Sequence, residues 1–265
     1  MNRIIAVTNQ KGGVGKTTTS INLAASLIAV KKKVLLIDLD PQGNATMGSG
    51  VDKNSLPASM NNLLLQNTAL ETVLTKTNAG YDLLPSNAEL ISAEVQLLRL
   101  ENREYYLKKL LAAVKDNYDF ILIDCPPSLN MLTINALVAA NSVLIPVQCE
   151  YYALEGLASL LATIDRVKGS ANPELTIEGL LRTMYDGRNR LTLEVSEQLL
   201  QHFQSKVYDT VIPRNVRLAE APSHGMPALQ YDNSSPGAMA YLALAGEIIT
   251  KMNNAISEKN HGDAQ

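Results

Sequence analysis

The sequence lacks most of the features that mark secreted and membrane proteins. It contains only two cysteines, Cys125 and Cys149, far apart in the chain, which excludes a disulfide framework and predicts buried free thiols. No run of 18 apolar residues occurs, so no membrane-spanning helix is expected. The chain begins with a strand-like run and not with a charged region before an apolar stretch, so no signal peptide is expected either. We therefore expect a cytoplasmic protein.

An excess of basic charge is also missing. Lysine and arginine number 23 against 26 aspartates and glutamates, which gives a net charge of −3. Any binding of nucleic acid therefore has to depend on a local patch. The chain has 265 residues, of which 46% are hydrophobic, enough for one large α/β domain with a full core. We expect this domain over residues 1–256 and a disordered polar tail over residues 257–265.

Short apolar runs alternate with longer stretches of helical periodicity. Residues 34–38 and 118–124 are nearly continuous apolar runs, typical of strands that are buried on both faces. The alternation predicts an α/β fold with a mostly parallel, twisted sheet and helices on both faces. In such folds ligands bind at the carboxyl ends of the strands, where Asp38, Asp40 and Asp124 are expected.

A glycine-rich segment separates the first apolar run from the first helical pattern. Residues 11–18 read KGGVGKTT. A strand, a glycine-rich loop and a helix in this order predict a phosphate-binding loop, because backbone N–H groups and the positive end of the helix then face the phosphates. Lys16 is placed to pair with the β- and γ-phosphates, and Thr17 offers its hydroxyl to Mg²⁺. The predicted nucleotide-binding residues of this loop are Lys11, Gly12, Gly13, Val14, Gly15, Lys16, Thr17 and Thr18.

The start of the loop departs from the usual pattern G-x-x-x-x-G-K-[ST]. Gln10 stands at the first glycine position, and Lys11 follows it. A lysine at this point is badly placed to reach the γ-phosphate in its own loop, but it could reach a nucleotide that a second subunit holds. The alternative is a lysine that simply faces solvent.

The loop resembles the deviant Walker A motif of the ParA/MinD group of ATPases, and the chain as a whole resembles the ParA/Soj chromosome-partition proteins. The matches run from Ile4 to about Gly225, which is most of the chain. They include DLDPQGN at 38–44, IDCPPS at 123–128, QCEYYALEG at 148–156 and IPRNVR at 212–217. The resemblance implies a single P-loop domain that hydrolyses ATP with Mg²⁺, slowly when alone.

The same resemblance implies partners and a location. It predicts a homodimer that forms with ATP, with Lys11 acting in trans on the other subunit's phosphates. It also predicts non-specific binding of double-stranded DNA by this dimer, stimulation of hydrolysis by DNA and a ParB-type centromere-binding protein, and association with the nucleoid. No membrane partner is expected.

Three further sets of residues take their roles from these patterns. Asp124 ends a strand in the manner of a Walker B acid and could hold Mg²⁺ through a water, although an ordinary strand-end aspartate is the alternative. In the family, the second aspartate of the Asp-Leu-Asp-Pro-Gln-Gly segment positions the attacking water; this role falls on Asp40, and Asp38 is expected to support the loop. Lys11, Lys16 and Asp40 are thus the predicted catalytic residues. The resemblance also places Pro213 on the adenine and gives Asn215 a hydrogen bond to its edge, although an ordinary turn would explain both.

The basic patch for DNA is predicted within residues 182–217. Arg188, Arg190 and Arg217 match positions at which the family has DNA-contacting residues, and two copies in a dimer would double the patch. The alternative is that these are scattered surface arginines. The segment 233–236, NSSP, lacks the basic residues that relatives often have there.

Other members of the wider group remain as alternatives. A MinD-like ATPase that cycles on membranes would need a short basic amphipathic helix at its carboxyl end, and here Glu247 and Glu258 accompany Lys251. A nitrogenase-type iron–sulfur reductase would need cysteines to bridge a cluster, and the two cysteines have the wrong spacing. An anion-pump ATPase would need a second phosphate loop in the chain, and none is present.

Overall fold

The computed structural model describes residues 2–66 and 68–262. Within these ranges eight strands form one sheet in the order β3-β4-β2-β5-β1-β6-β7-β8. All neighbours are parallel except β3, which pairs with β4 in the antiparallel direction. The strands are β1 (Arg3–Val7), β2 (Val34–Asp38), β3 (Thr75–Lys76), β4 (Asp82–Leu84), β5 (Phe120–Asp124), β6 (Ser142–Gln148), β7 (Thr176–Tyr185) and β8 (Val207–Pro213).

The helices lie on both faces of this sheet. They are α1 (Lys16–Ala29), α2 (Asn44–Gly48), α3 (Met60–Leu65), α4 (Leu70–Val73), α5 (Leu90–Leu97), α6 (Tyr106–Ala112), α7 (Met131–Ala139), α8 (Ala153–Ser170), α9 (Arg190–Phe203), α10 (Val216–Glu220), α11 (Ala228–Tyr231) and α12 (Pro236–Gly262). The predicted fold class, a mostly parallel α/β sheet with helices on both faces, is confirmed.

The central strands contribute to two separate cores because successive side chains of a strand point to opposite faces. Ile37 of β2 and Ile123 of β5 belong to one core, which α7 and α8 cover. Leu36 and Leu122, their neighbours in the chain, belong to the other, which α1 and α12 cover. The apolar face of α12 is therefore used inside the protein: Tyr241, Leu244, Ala245 and Ile248 are buried there.

Two helical segments show what periodicity could and could not predict. The sequence predicts a helical stretch over residues 88–114 with a break near Glu101 and Asn102. The structure divides this stretch into α5 and α6, and Asn102 takes a left-handed backbone conformation with φ 50°. The helix α7 was not predicted. It is buried on nearly every side and so lacks the polar face that marks an amphipathic helix. Its signal is the cap: the Asn130 side chain accepts a hydrogen bond from the Thr133 N–H, at 3.1 Å.

Helical periodicity predicts a closing helix over residues 238–255, and the last helix, α12, is longer. Its helical backbone overlaps the segment 257–265, for which we expect a disordered tail, as far as Gly262. Residues 263–265 lie outside the described residues, so the boundary between the domain and a tail stays a prediction. None of the described helices is both long enough and apolar enough to cross a bilayer.

Candidate active site

The glycine-rich loop joins the end of β1 to the start of α1, at the carboxyl edge of the sheet. Gly13 and Gly15 have φ values of 74° and 90°, a conformation that favours glycine. A Cβ at Gly12 or Gly13 would meet no atom within 4 Å. The backbone of the loop is therefore shaped by its glycines, and the space above it is open to a ligand.

Lys16 is the first residue of α1 and is buried. Its Nζ donates to the carbonyl oxygen of Lys11 at 3.2 Å, so the side chain folds back along the loop. Burial lowers the pKa of Lys16, and the nearby Asp124 carboxyl opposes that effect. Within the described residues its ammonium forms no ion pair closer than 4 Å, which leaves it available to an anionic phosphate.

The Asp124 carboxylate stands directly behind the first turn of α1. Thr17 donates its hydroxyl to Asp124 Oδ2 at 2.7 Å, and Ser20 donates to Oδ1 at 2.9 Å. Asp38 is its direct partner in the register between β2 and β5. Burial raises the pKa of Asp124, and the charge of Asp38 adds to the effect. No motif pointed to Ser20, although its place three residues after Thr17 puts both hydroxyls on one face of the helix.

The oxygen donors at this point suit a magnesium ion. The Thr17 hydroxyl and the Asp124 carboxylate are hard ligands next to the open loop. Nowhere in the described chain do three or more His, Cys, Asp or Glu residues form a group that could hold a metal by themselves. An ion here would need further oxygens from a nucleotide, and this is how Mg²⁺ is usually bound with phosphates.

A second acidic segment follows β2 and lies beside the first. Asp38 Oδ2 accepts hydrogen bonds from the N–H and the hydroxyl of Thr46, both at 2.7 Å, and Oδ1 accepts from the N–H of Asp40 at 3.2 Å. These bonds hold the loop in place, and burial raises the pKa of Asp38. Asp40 Oδ1 accepts from the Gln42 N–H at 2.9 Å, and within the described residues the second oxygen of Asp40 accepts no hydrogen bond.

Asp40 is brought close to the phosphate loop. It is mostly buried, and its charge acts on both Lys16 and Asp124. Its main-chain oxygen accepts a hydrogen bond from the Ser86 hydroxyl at 2.9 Å. Ser86, which follows β4, thus fixes the loop from the neighbouring strand, and no sequence pattern indicated this residue.

Lys11 makes a contact that the sequence did not predict. Its Nζ lies 2.7 Å from Glu150 Oε2, an ion pair within one chain across 139 positions of sequence. The Lys11 N–H donates to Asn9 Oδ1 at 3.0 Å, and the Gln148 side chain donates to the other oxygen of Glu150. The lysine side chain is therefore directed toward Glu150, while Lys16 occupies the loop.

A cavity of about 410 Å³ opens next to the loop and reaches the end of β8. Pro213 and Asn215, the residues predicted to contact adenine, both line it, together with Gly15 and Thr18. The side-chain oxygen of Asn215 is buried and has no hydrogen-bond partner in the described part of the chain. A Cβ built on Gly237 would lie 3.0 Å from this oxygen, so Oδ1 faces the start of α12, and the amide would have to turn to offer it to a ligand in the cavity.

The wall of this cavity holds two residues that the sequence analysis missed. Thr183, on β7, donates its hydroxyl to the carbonyl oxygen of Val14 at 2.8 Å and so attaches the loop to the strand. Met184 has φ 49°, a left-handed conformation that is uncommon for a residue with a side chain. No sequence signal marks either residue.

The three predicted DNA-binding arginines lie on neighbouring elements and are all exposed. Arg188 and Arg190 lie between the end of β7 and the first turn of α9, and Arg217 lies in α10, just after β8. Each is paired with a carboxylate of its own chain: Arg188 with Asp186 at 2.9 Å, Arg190 with Glu194 at 2.7 Å, and Arg217 with Glu220 at 2.8 Å and Asp232 at 3.2 Å. The Arg188 guanidinium lowers the pKa of Asp186 to about 2.

Comparisons with known proteins agree with this geometry. A family model described as "AAA domain" matches residues 2–177. The sporulation initiation inhibitor protein Soj of Bacillus subtilis is 53% identical over 249 residues, which cover 94% of this chain and 98% of Soj. The chromosome partitioning protein ParA of Caulobacter vibrioides is 48% identical over 252 residues, which cover 94% of each chain.

A solved structure from Mycobacterium smegmatis has the same fold. It is described as cobyrinic acid a,c-diamide synthase with bound ADP and magnesium. It matches with a TM-score of 0.85 and 38% sequence identity over 96% of this chain and 97% of that chain. Its two ligands are of the classes for which the loop, Thr17 and Asp124 provide donors.

Proposed function

This chain belongs to the ParA/Soj family of chromosome-partitioning P-loop ATPases, and from this premise we propose that its ATP-bound form dimerises, binds DNA without sequence preference and leaves it after hydrolysis. The proposal rests on one observation: the side chains of two lysines in this segment make different contacts. The Lys16 side chain folds back along the phosphate loop, whereas the Lys11 side chain binds Glu150. One lysine would serve its own nucleotide and the other that of a second subunit.

ATP and Mg²⁺ are the cofactors of this ATPase. The backbone N–H groups of residues 12–18 and the Lys16 ammonium would bind the phosphates, and Thr17 and Asp124 would hold the metal. Bound Mg²⁺ neutralises charge on the β- and γ-phosphates. Asp124 would hold the ion through one of its waters, and the Thr17 hydroxyl, which donates to Asp124 Oδ2 at 2.7 Å, keeps its oxygen lone pairs available to the ion.

Hydrolysis of the γ-phosphate needs an attacking water and compensation of the developing charge. Asp40 would orient that water with the carboxylate oxygen that Gln42 does not occupy. The Ser86 hydroxyl, which binds the Asp40 carbonyl, would keep the loop at the right place. Lys16 supplies charge compensation in cis.

The second cation would come from the partner subunit. A lone subunit would hydrolyse ATP slowly, because its own Lys11 is directed to Glu150. Two ATP-bound subunits that close face to face would let each Lys11 reach the other's phosphates, in the manner of an arginine finger. Hydrolysis would thus be tied to the dimer.

Selectivity for ATP would come from the cavity beside the loop. Pro213 would pack on the adenine ring, and the Asn215 amide, on turning its buried Oδ1 toward the cavity, would accept a hydrogen bond from the adenine amino group. Guanine carries an oxygen at the corresponding position of its ring, and an acceptor facing it would be left unpaired.

Binding of DNA would use the arginines at the ends of β7 and β8. Arg188, Arg190 and Arg217 would contact phosphates without reading bases. A single copy offers a weak patch because each arginine is already paired with a carboxylate. Dimer formation would join two such patches, so that DNA affinity increases only with ATP.

The release step would depend on a further protein. By its family, the chain would meet a ParB-type centromere-binding protein that stimulates hydrolysis, together with DNA, so that the dimer separates and leaves the DNA. The result would be movement of chromosome or plasmid origins over the nucleoid, in the cytoplasm.

Two other functions fit the observations less well. A MinD-like protein would place an apolar carboxyl-terminal helix face on a membrane, but Tyr241, Leu244 and Ile248 of α12 are buried against α1 and the sheet. A diamide synthase that took its nitrogen from glutamine would use an activated cysteine. Burial raises the pKa of Cys149 to about 11 and raises that of Cys125 as well, so neither thiol is activated.

Gel filtration of an Asp40→Ala variant with ATP and Mg²⁺ tests the proposal. We expect a dimer that persists, because ATP still binds and hydrolysis falls by roughly 10²-fold or more when water is no longer oriented. Non-specific duplex DNA should co-elute with this dimer when ATP is present. The DNA should not co-elute with the variant when ADP replaces ATP. A variant that stays monomeric with ATP, or hydrolyses at the native rate, would contradict the proposed mechanism.

A further inference from the structure

Two tyrosines next to the Lys11 contact are unusually exposed. Tyr151 and Tyr152 expose 76% and 67% of their surface, more than any other large hydrophobic residue in the described part of the chain. Their rings pack edge to face, with centroids 5.0 Å apart and planes at 88°. Tyrosines combine a large apolar area with a hydroxyl that tolerates water, and they are enriched at the energetic centres of protein interfaces.

The position of these rings connects them to the phosphate loop. They follow Glu150 directly in the chain, and Glu150 binds Lys11 at 2.7 Å. A second bond runs from the Gln10 side chain to the Ser159 hydroxyl of α8, at 3.1 Å. These two bonds tie the loop to the segment that carries the tyrosines, and we call Gln10, Lys11, Glu150, Tyr151 and Tyr152 together the Lys11 surface.

We propose that Tyr151 and Tyr152 are contact residues for a second copy of this chain. The inference rests on the proposed function, in which Lys11 enters the nucleotide site of the partner. A lysine that crosses an interface lies within it, and Glu150, which holds that lysine in the lone subunit, is followed directly by the two exposed tyrosines. In a two-fold dimer the same surface is used on both subunits, so four tyrosine rings would become covered at once.

This assignment gives the dimer an apolar contact beside its charged one. Water and salt weaken the attraction between the lysines and the phosphates until the site is closed. Covering the tyrosines would exclude water from the neighbourhood of Lys11 and so strengthen its attraction to the partner's phosphates. The rings would therefore contribute both to dimer affinity and to the action of Lys11.

The test compares two double variants. Tyr151→Ser/Tyr152→Ser removes the rings, and Tyr151→Phe/Tyr152→Phe keeps them without their hydroxyls. Sedimentation velocity with a non-hydrolysable ATP analogue and Mg²⁺ gives the dimer dissociation constant, and calorimetry at monomeric concentrations gives nucleotide affinity. We expect the serine variant to bind the analogue normally but to dimerise at least about tenfold more weakly, and the phenylalanine variant to stay within about threefold of the native protein.

The possible failures are distinguishable. If the native protein itself stays monomeric with the analogue, the proposed function fails, and this inference fails with it. If the native protein and the serine variant dimerise equally, the tyrosines are not contacts for a second copy and only the inference fails. If the serine variant dimerises like the native protein but no longer binds duplex DNA or a ParB-type protein, the rings contact that partner instead. This result would also overturn the inference.

Discussion

The ion pair between Lys11 and Glu150 sets up a competition that can be measured. In the lone subunit Glu150 holds the lysine at 2.7 Å, and in the proposed dimer Lys11 has to leave it for the partner's phosphates. Glu150→Gln keeps the size of the side chain and removes its charge. We therefore expect this variant to dimerise with ATP more tightly than the native protein, because Lys11 is released at lower cost.

The structure limits the size of this effect. The side chains of Lys11 and Glu150 are 35% and 44% exposed, so that water screens the pair. Exposed pairs of this kind contribute about 0–1 kcal/mol each. A dimer breaks two of them, at a total cost of about 2 kcal/mol or less, and the dimer dissociation constant should therefore fall by roughly 30-fold at most.

Sedimentation velocity with a non-hydrolysable ATP analogue measures this constant. The matched control is Glu150→Gln in a Lys11→Ala background, where there is no lysine to release and the substitution should have no effect on dimerisation. The reasoning is refuted if Glu150→Gln leaves the native dimer unchanged or weakens it. It is also refuted if the same gain appears without Lys11, since Glu150 would then act through another contact.

Three further predictions concern the phosphate loop, the metal and DNA. Lys16→Ala should abolish ATP binding in calorimetry, because the loop loses its cation in cis, and normal affinity would contradict the assignment of the loop. Because burial raises the pKa of Asp124, its carboxyl retains a proton to higher pH than usual, and Mg²⁺ must displace that proton. Magnesium affinity for the nucleotide-bound protein should therefore increase with pH, with proton release seen in calorimetry in buffers of different ionisation enthalpy; a flat pH profile would contradict this. Asp186→Asn should free Arg188 and tighten DNA binding of the ATP dimer in a low-salt mobility shift, by up to about fivefold for each subunit that contacts the DNA, since the pair is exposed. The charge-matched control, Glu71→Gln on the exposed surface of α4, should change it less, and equal effects would indicate net charge alone.

Local signals in the sequence were enough for the sheet and the loop. Continuous apolar runs identified β2 and β5, and the glycine pattern placed the phosphate loop before α1, because both depend on neighbouring residues. The two-residue strand β3 and the buried helix α7 gave no such signal. Their formation depends on what they pack against, and periodicity does not contain that information.

The contacts that shape the site could not be predicted from the sequence for another reason. Lys11 and Glu150 are 139 positions apart, and Thr183 and Val14 are 169 apart. The fold brings these pairs together, and a single sequence contains no pattern that links them. The carboxylates beside Arg188, Arg190 and Arg217 are close in sequence, in contrast, and a helix spacing of three or four residues already indicates the pairs of Arg190 and Arg217.

These arginine pairs have a consequence for how the protein responds to ionic strength. A cation that binds DNA from open solution releases counterions from the phosphates, and the observed binding constant then falls steeply with salt. Here each phosphate would displace a carboxylate of the protein, and the vacated Asp186, Glu194 or Glu220 would attract cations from solution in return. Uptake of ions on the protein partly cancels their release from the nucleic acid. A surface that carries its own counterions should therefore bind DNA with a weaker dependence on salt than its number of phosphate contacts predicts. The protein could then exchange between DNA sites over a wide range of ionic conditions.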